Sequence, residues 1–153
     1  MSASQKIKEE LYRFCSEFAD ARITRIQKQI LEIQESMNSE TKSSAGDKHE
    51  TGRAMLQLER EKLGQQLLEA EKTQKHLGHI HINKKHDIIG PGSLVHTSLN
   101  SYFIAISAGE YTIENKLIYC ISAATPMGRL LFGKCKGNQV VFKNVTINIQ
   151  EVH

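Results

Sequence analysis

Two carboxylates stand three residues apart in the polar stretch Met37-Asn38-Ser39-Glu40-Thr41-Lys42-Ser43-Ser44-Ala45-Gly46-Asp47-Lys48-His49-Glu50. If Asp47 opens a helix, Glu50 lies on the same face one turn later. Such a pair has two uses. It complements the positive end of its own helix, an effect of about 0.3–1 kcal/mol. Or, carried on a long rigid support, it reaches into another molecule.

Other residues with chemistry to offer are less well arranged. His76, His79, His81 and His86 fall within eleven residues, and imidazole is a common metal ligand. No cysteine or paired carboxylate joins them at finger spacing, so a solvated linker competes with a metal site. If the segment were a strand, His79 and His81 would share one face. Cys15, Cys120 and Cys135 are odd in number and far apart, and no C-x-x-C pair occurs. They read as small core or surface residues rather than a disulfide framework. No motif sets a histidine beside Cys120 or Cys135 for nucleophilic catalysis. A prolyl isomerase needs an aromatic-lined pocket, and the nine aromatic residues must also build a core.

The elements around the carboxylates are legible from period. Apolar residues Ile7, Leu11, Phe14, Phe18 and Ala21 repeat at four and three, and Ile23, Ile26, Ile30, Ile33 and Met37 continue at three and four. The spacing predicts one long helix capped near Ser4, with a register slip at Arg22–Arg25 and a change of supercoil or partner there. No Gly or Pro interrupts residues 3–43. A second helix is predicted from Asp47 to His76, with Leu56, Leu63, Leu67, Ala70 and Leu77 on one stripe, Leu58 and Leu68 flanking it, and Arg60 and Gln74 in the seam. Thirty helical residues span about 45 Å. Two such helices on a short loop pack antiparallel, although a plain dimerising coiled coil shows the same stripes. Gly78 suits the C′ position of the second helix.

From Gly90-Pro91-Gly92 the period becomes two. Strands are predicted at 93–97, 102–107, 117–122, 139–143 and 145–151. Thr125-Pro126 starts a short helix that Gly133 closes. The fold class is therefore α+β: a coiled-coil hairpin at 1–77 with its tip at 38–50, a linker at 78–89, and a small antiparallel β domain with one short helix at 90–153.

Composition narrows the function. The first 77 residues carry 13 basic and 13 acidic side chains, and the remainder carries 7 and 4. The net charge of +3 therefore lies in the C-terminal half, too mild for a dedicated DNA binder. The polar N-terminus and the lack of any long apolar run argue for a cytoplasmic protein without a membrane role.

The segment Ile121–Val140, ISAATPMGRLLFGKCKGNQV, resembles the C-terminal domain of Gre-type bacterial transcript cleavage factors. Thr125, Pro126, Leu130, Leu131, Gly133, Lys134, Gly137, Asn138 and Val140 match that family's strand, short helix and glycine turn. Gly46-Asp47-Lys48-His49-Glu50 matches the Gly-Asp-x-x-Glu of its coiled-coil tip. After Glu50 the pattern departs, with Thr51, Gly52, Arg53 and Ala54 where the family has Asn, Ala, an acid and an aromatic residue. The loop before Gly46 is also longer, and Lys42, Lys48 and His49 add positive charge.

The resemblance implies an FKBP-like C-terminal domain and a monomer that binds bacterial RNA polymerase through its secondary channel. It implies docking through Arg129, Gly133, Lys134 and Gly137. It also implies that Asp47 and Glu50 help hold a Mg²⁺ shared with the polymerase, near the RNA 3′ end. The chain alone would then carry no cofactor and would not be an enzyme. It would modulate the polymerase's cleavage of backtracked RNA. Relatives of this architecture that occupy the channel without stimulating cleavage are the nearest alternative, and a coiled-coil interaction protein with another partner is the second.

Overall fold

The computed structural model describes residues 2–42 and 47–153, without the side chains of 40–42 and 47–49. Two long helices come first, α1 (Ala3–Lys42) and α2 (Asp47–Gly78). Ser2, rather than Ser4, caps α1: its Oγ accepts from the Gln5 N–H at 3.1 Å, the bond an N-cap hydroxyl makes to the N3 position. Gly78 is the last residue of α2 and has no left-handed φ, so the expected C′ glycine is not formed. The chain leaves through tight bonds instead, from His79 N–H to the His76 carbonyl and from Ile80 N–H to the Leu77 carbonyl.

Two compact units result, one of Ala19–Lys75 and one of Met1–Phe18 with His76–His153. In the first, Ile26 and Ile30 of α1 bury against Leu63 and Ala70 of α2, with Ile23, Ile33 and Leu67 beside them. Leu58 and Leu68 face outward. Gln74 is exposed and donates to Asp20 Oδ1 at 2.6 Å.

The change of partner expected at Arg22–Arg25 falls slightly earlier, at Phe18–Ala19, where α1 passes from one unit to the other. The buried stripe of α1 runs Leu11, Cys15, Ala19, Ile26 and Ile30, with Ile23 half-buried between the last three. Small residues carry it where the larger Phe14 and Phe18 suggested another line, and Phe18 is 40% exposed. The three successive steps of four from Leu11 to Ile23 turn the stripe by about 120° around the helix.

The second unit is built on a six-stranded sheet. Its strands are β1 (Leu94–Thr97), β2 (Ser101–Ile104), β3 (Gly109–Ile113), β4 (Lys116–Ile121), β5 (Gln139–Phe142) and β6 (Val145–Val152), with α3 (Pro126–Leu131) between β4 and β5. The order across the sheet is β3-β4-β2-β1-β6-β5. The expected antiparallel sheet is corrected to a mixed one, because β2 pairs with β4 in parallel. The cause is the strand that the period did not reveal. β3 runs back along β4 as an edge strand, joined through Glu114 and Asn115, both at positive φ. Such a two-residue turn matches strand twist, and it returns β4 beside β2 in the same direction.

Both faces of β2 are covered, which explains its unbroken apolar run. Tyr102 and Ile104 join Ile89, Met127, Leu131, Val140, Ile147 and Ile149 in one core. On the opposite face Phe103 pairs with Cys120, and the opening turns of α1 cover it. There the Phe14 and Tyr111 rings lie 4.7 Å apart. The thiols of Cys15 and Cys120 share a hydrogen bond, and that bond together with burial pushes the Cys120 thiol up. Among the described residues no helix is long and apolar enough to cross a membrane.

Candidate functional site: an acidic helix start and a basic glycine turn

Asp47 is the first residue of α2 and Glu50 follows in its first turn. The side chain of Asp47 falls outside the described residues, as do 43–46, so most of the tip lies outside the description. Glu50 is exposed. It shares an open cleft of about 530 Å³ with Arg53, Ala54, Gln57 and Leu58. Arg53 sits one turn on and donates from Nη1 to the Met37 carbonyl of α1 at 3.2 Å. A guanidinium thus stands on the helix turn next to the carboxylate.

An acid pair fits a hard divalent cation in part. Mg²⁺ is commonly held by one or two carboxylates, with waters and phosphate completing six oxygens. Among the described residues no three His, Cys, Asp or Glu side chains gather into a metal-sized group. The histidine run forms no strand. His76 ends inside α2, His79 and His81 are exposed, and His86 turns in to bond Ser93 Oγ through Nδ1 at 2.7 Å.

At the second sequence-predicted site, the Thr125 hydroxyl accepts from the Gly128 N–H at 3.1 Å and donates to the Ser122 carbonyl at 2.8 Å. Pro126 follows at the first helical turn, where its missing N–H costs nothing. Arg129, in the last turn of α3, is exposed. The chain then reverses at Gly133, with φ +81°, a conformation that favours glycine. Gly133 N–H donates to the Ile89 carbonyl and Ile89 N–H donates to the Lys134 carbonyl, both at 2.8 Å. This clamp fixes the backbone of Lys134 and leaves its side chain in solvent.

A second tight turn follows at once. Asn138 Oδ1 accepts from the Cys135 N–H at 2.9 Å, and Gly137, at φ +93°, donates to the Ile149 carbonyl at 2.9 Å. The structure thus brings Arg129, Gly133, Lys134 and Gly137 into one exposed segment. Lys136 is the neighbouring cation, and it pairs with Glu151 at 3.3 Å. Among the described residues Arg129 and Lys134 make no ion pair. The sequence marks Arg53 only as a departure from the family pattern, and it does not mark Lys8. Arg53 could have been found three residues beyond Glu50, on its face of the helix. Lys8 gave no signal, since a lysine in a charged helix turn reads as exposed, yet it is 2% exposed.

No family model matches the chain, and no curated protein matches it. Two solved structures are similar over most of its length. One, described as the structure of the transcription factor Gfh1, is 18% identical over 91% of this chain and 93% of its own, with a TM-score of 0.37. The other, GreA factor homolog 1 (Gfh1) of Thermus thermophilus, is 17% identical over 90% and 94%, with a TM-score of 0.34. The order of elements here, two long helices packed together and then a sheet domain with one short helix, is the order that the sequence resemblance implies.

Proposed function

We propose that the chain is a transcription elongation factor that binds bacterial RNA polymerase, placing the start of α2 in the secondary channel to modulate cleavage of backtracked RNA. The observation that supports this best is the segment Thr125–Val140. The residues that carry the resemblance supply the cap, the short helix and the clamped glycine turn, and the last two present Arg129 and Lys134 to solvent. In this reading that turn supplies docking, and the hairpin supplies reach. Asp47 and Glu50 would add oxygen ligands to a Mg²⁺ that the polymerase also holds. Metal bound there would supply water activation and stabilisation of the leaving oxygen.

Arg53 favours a second reading. A cation one turn from Glu50 competes with a metal for the same carboxylate. The protein would then occupy the channel and slow cleavage rather than promote it.

The test pairs a pull-down on bacterial RNA polymerase with RNA cleavage in backtracked complexes, for the unaltered chain and for Asp47→Asn with Glu50→Gln. Asn and Gln keep the size and hydrogen-bonding capacity of the two acids, so the fold and polymerase binding should persist. Faster cleavage with the unaltered chain, lost in the double variant, supports the metal-holding role. Binding with slowed cleavage supports the second reading. No binding at low salt overturns both.

A further inference from the structure

We infer that the cleft beside the N-terminus of α1 is a binding site for a small anion carrying two or more phosphate groups. The cleft has a volume of about 700 Å³, and its walls include Ser4, Lys8, Glu9, Lys84, Lys85 and His153. That is within the usual size of a small-molecule site and larger than one phosphate requires. Three lysines line it against one carboxylate side chain, Glu9.

Lys8 is what separates this cleft from an ordinary basic surface. It is 2% exposed, and its ammonium makes one long hydrogen bond, 3.4 Å to the Lys84 carbonyl. An ammonium has three N–H donors, so this bond leaves donor capacity to spare on a residue that lines the cleft. Burial alone lowers its pKa to about 8, and no carboxylate acts on it strongly enough to oppose that. A buried cation without a counter-ion is costly, and an anion in the cleft would offset that cost. The charge also reaches His86, whose pKa is lowered first by burial and next by Lys8.

The helix end adds a second attraction. Unpaired N–H groups and the aligned peptide dipoles of a long helix favour negative charge at its start, and Ser2 and Gln5 of that start also line the cleft. Lys84 and Lys85 are consecutive and exposed at the rim. One phosphate near Lys8 and a second near the rim would use both sets of charges. A monophosphate would use one.

Titration calorimetry on the full chain tests this with inorganic pyrophosphate, orthophosphate, adenosine diphosphate and a short poly-glutamate peptide. The variants are Lys8→Met and the double change Lys84→Gln with Lys85→Gln. Met retains the apolar stem of Lys8, and the rim pair is exposed, so both should fold. Saturable one-to-one binding of pyrophosphate, tighter than orthophosphate, is expected. Each variant should weaken it about tenfold or more, as charged hydrogen bonds are lost. Tighter binding of adenosine diphosphate than of pyrophosphate identifies a nucleotide as the source, and equal binding identifies the bare diphosphate. Either supports the site. Absence of saturable pyrophosphate binding, undiminished binding in Lys8→Met, or preference for the peptide overturns it. The readout uses the chain alone, so it stands or falls apart from polymerase binding.

Discussion

The Tyr12 hydroxyl donates a 2.9 Å hydrogen bond to the carbonyl of Leu77. It ties the opening turns of α1 to the closing turn of α2, at a carbonyl that has few other partners within its own helix end. Leu77 is buried, and without the hydroxyl its carbonyl would keep only the Ile80 N–H at 3.0 Å. Tyr12→Phe should cost about 1 kcal/mol, read as a lower urea midpoint with unchanged slope.

Thr125 and Gly128 predict a steeper pair of effects. A Cβ on Gly128 would overlap the Ser122 carbonyl and crowd Thr125 Oγ1, which is the cap itself. The colliding atom is backbone and cannot swing aside. Gly128→Ala should therefore destabilise by about 3 kcal/mol or more. Thr125→Ala, which removes only the cap, should cost about 1 kcal/mol. Thermal melts of the two variants would check the ranking. Equal effects would show that the close approach at Gly128 is not rigid.

Lys8 predicts a rise of stability in alkali. Its pKa is about 8 folded against 10.5 as a free side chain. Between those values the unfolded chain holds a proton that the folded chain has lost. Stability must then increase as pH climbs through that window. The full difference corresponds to about 3 kcal/mol at most. Other groups titrate there too, and Cys120 acts in the opposite sense because its raised pKa keeps it a thiol when folded. The quantity to measure is thus the difference between the unaltered chain and Lys8→Met from pH 7.5 to 10.5. It should shrink steadily, with the variant more stable at the acid end. A constant difference would exclude the buried charge as its cause.

On the acid side, His86 and His96 act together. Burial is the main cause of the lowered pKa of each; Lys8 adds to it at His86, and His153 with Lys116 adds to it at His96. Below the ordinary histidine pKa of 6.5 the unfolded chain takes up protons that the folded chain refuses. Stability present above that pH should be lost as pH falls through and below it. His96 also bonds Ser101 Oγ through Nδ1 at 2.7 Å. His96→Gln keeps a polar partner there and should flatten the acid limb. Denaturation midpoints at pH 7 and pH 5 would show it.

Long periodic segments are legible in the sequence, and short or two-sided ones are not. Leu63, Leu67, Ala70 and Leu77 lie on the inner stripe as their spacing indicates, because an exposed helix has one face to bury. In α1 the same rule misled. Phe14 and Phe18 outweigh Cys15 and Ala19 in hydrophobicity, whereas the tighter seam takes the smaller pair. The edge strand β3 escaped notice because Glu110, Thr112 and Glu114 are exposed, and Glu114-Asn115 lacks the glycine that marks most such turns. Without β3, the parallel pairing of β2 and β4 could not be inferred. The glycine turn at 133–138 was readable from Gly133, Gly137 and Asn138. The burial of Lys8 was not, since it depends on the Lys84 backbone arriving from 76 residues away.

The sheet order also bears on how the chain acquires its structure during synthesis. β1 lies between β2 and β6, so its second neighbour, Val145–Val152, leaves the ribosome well after it. The opening turns of α1 need the same late-arriving sheet to cover Leu11 and Cys15. The helical pair of Ala19–Lys75 depends on nothing later and can close first. Until β6 arrives, the nascent chain carries a finished hairpin with an apolar stripe still showing at its upstream end.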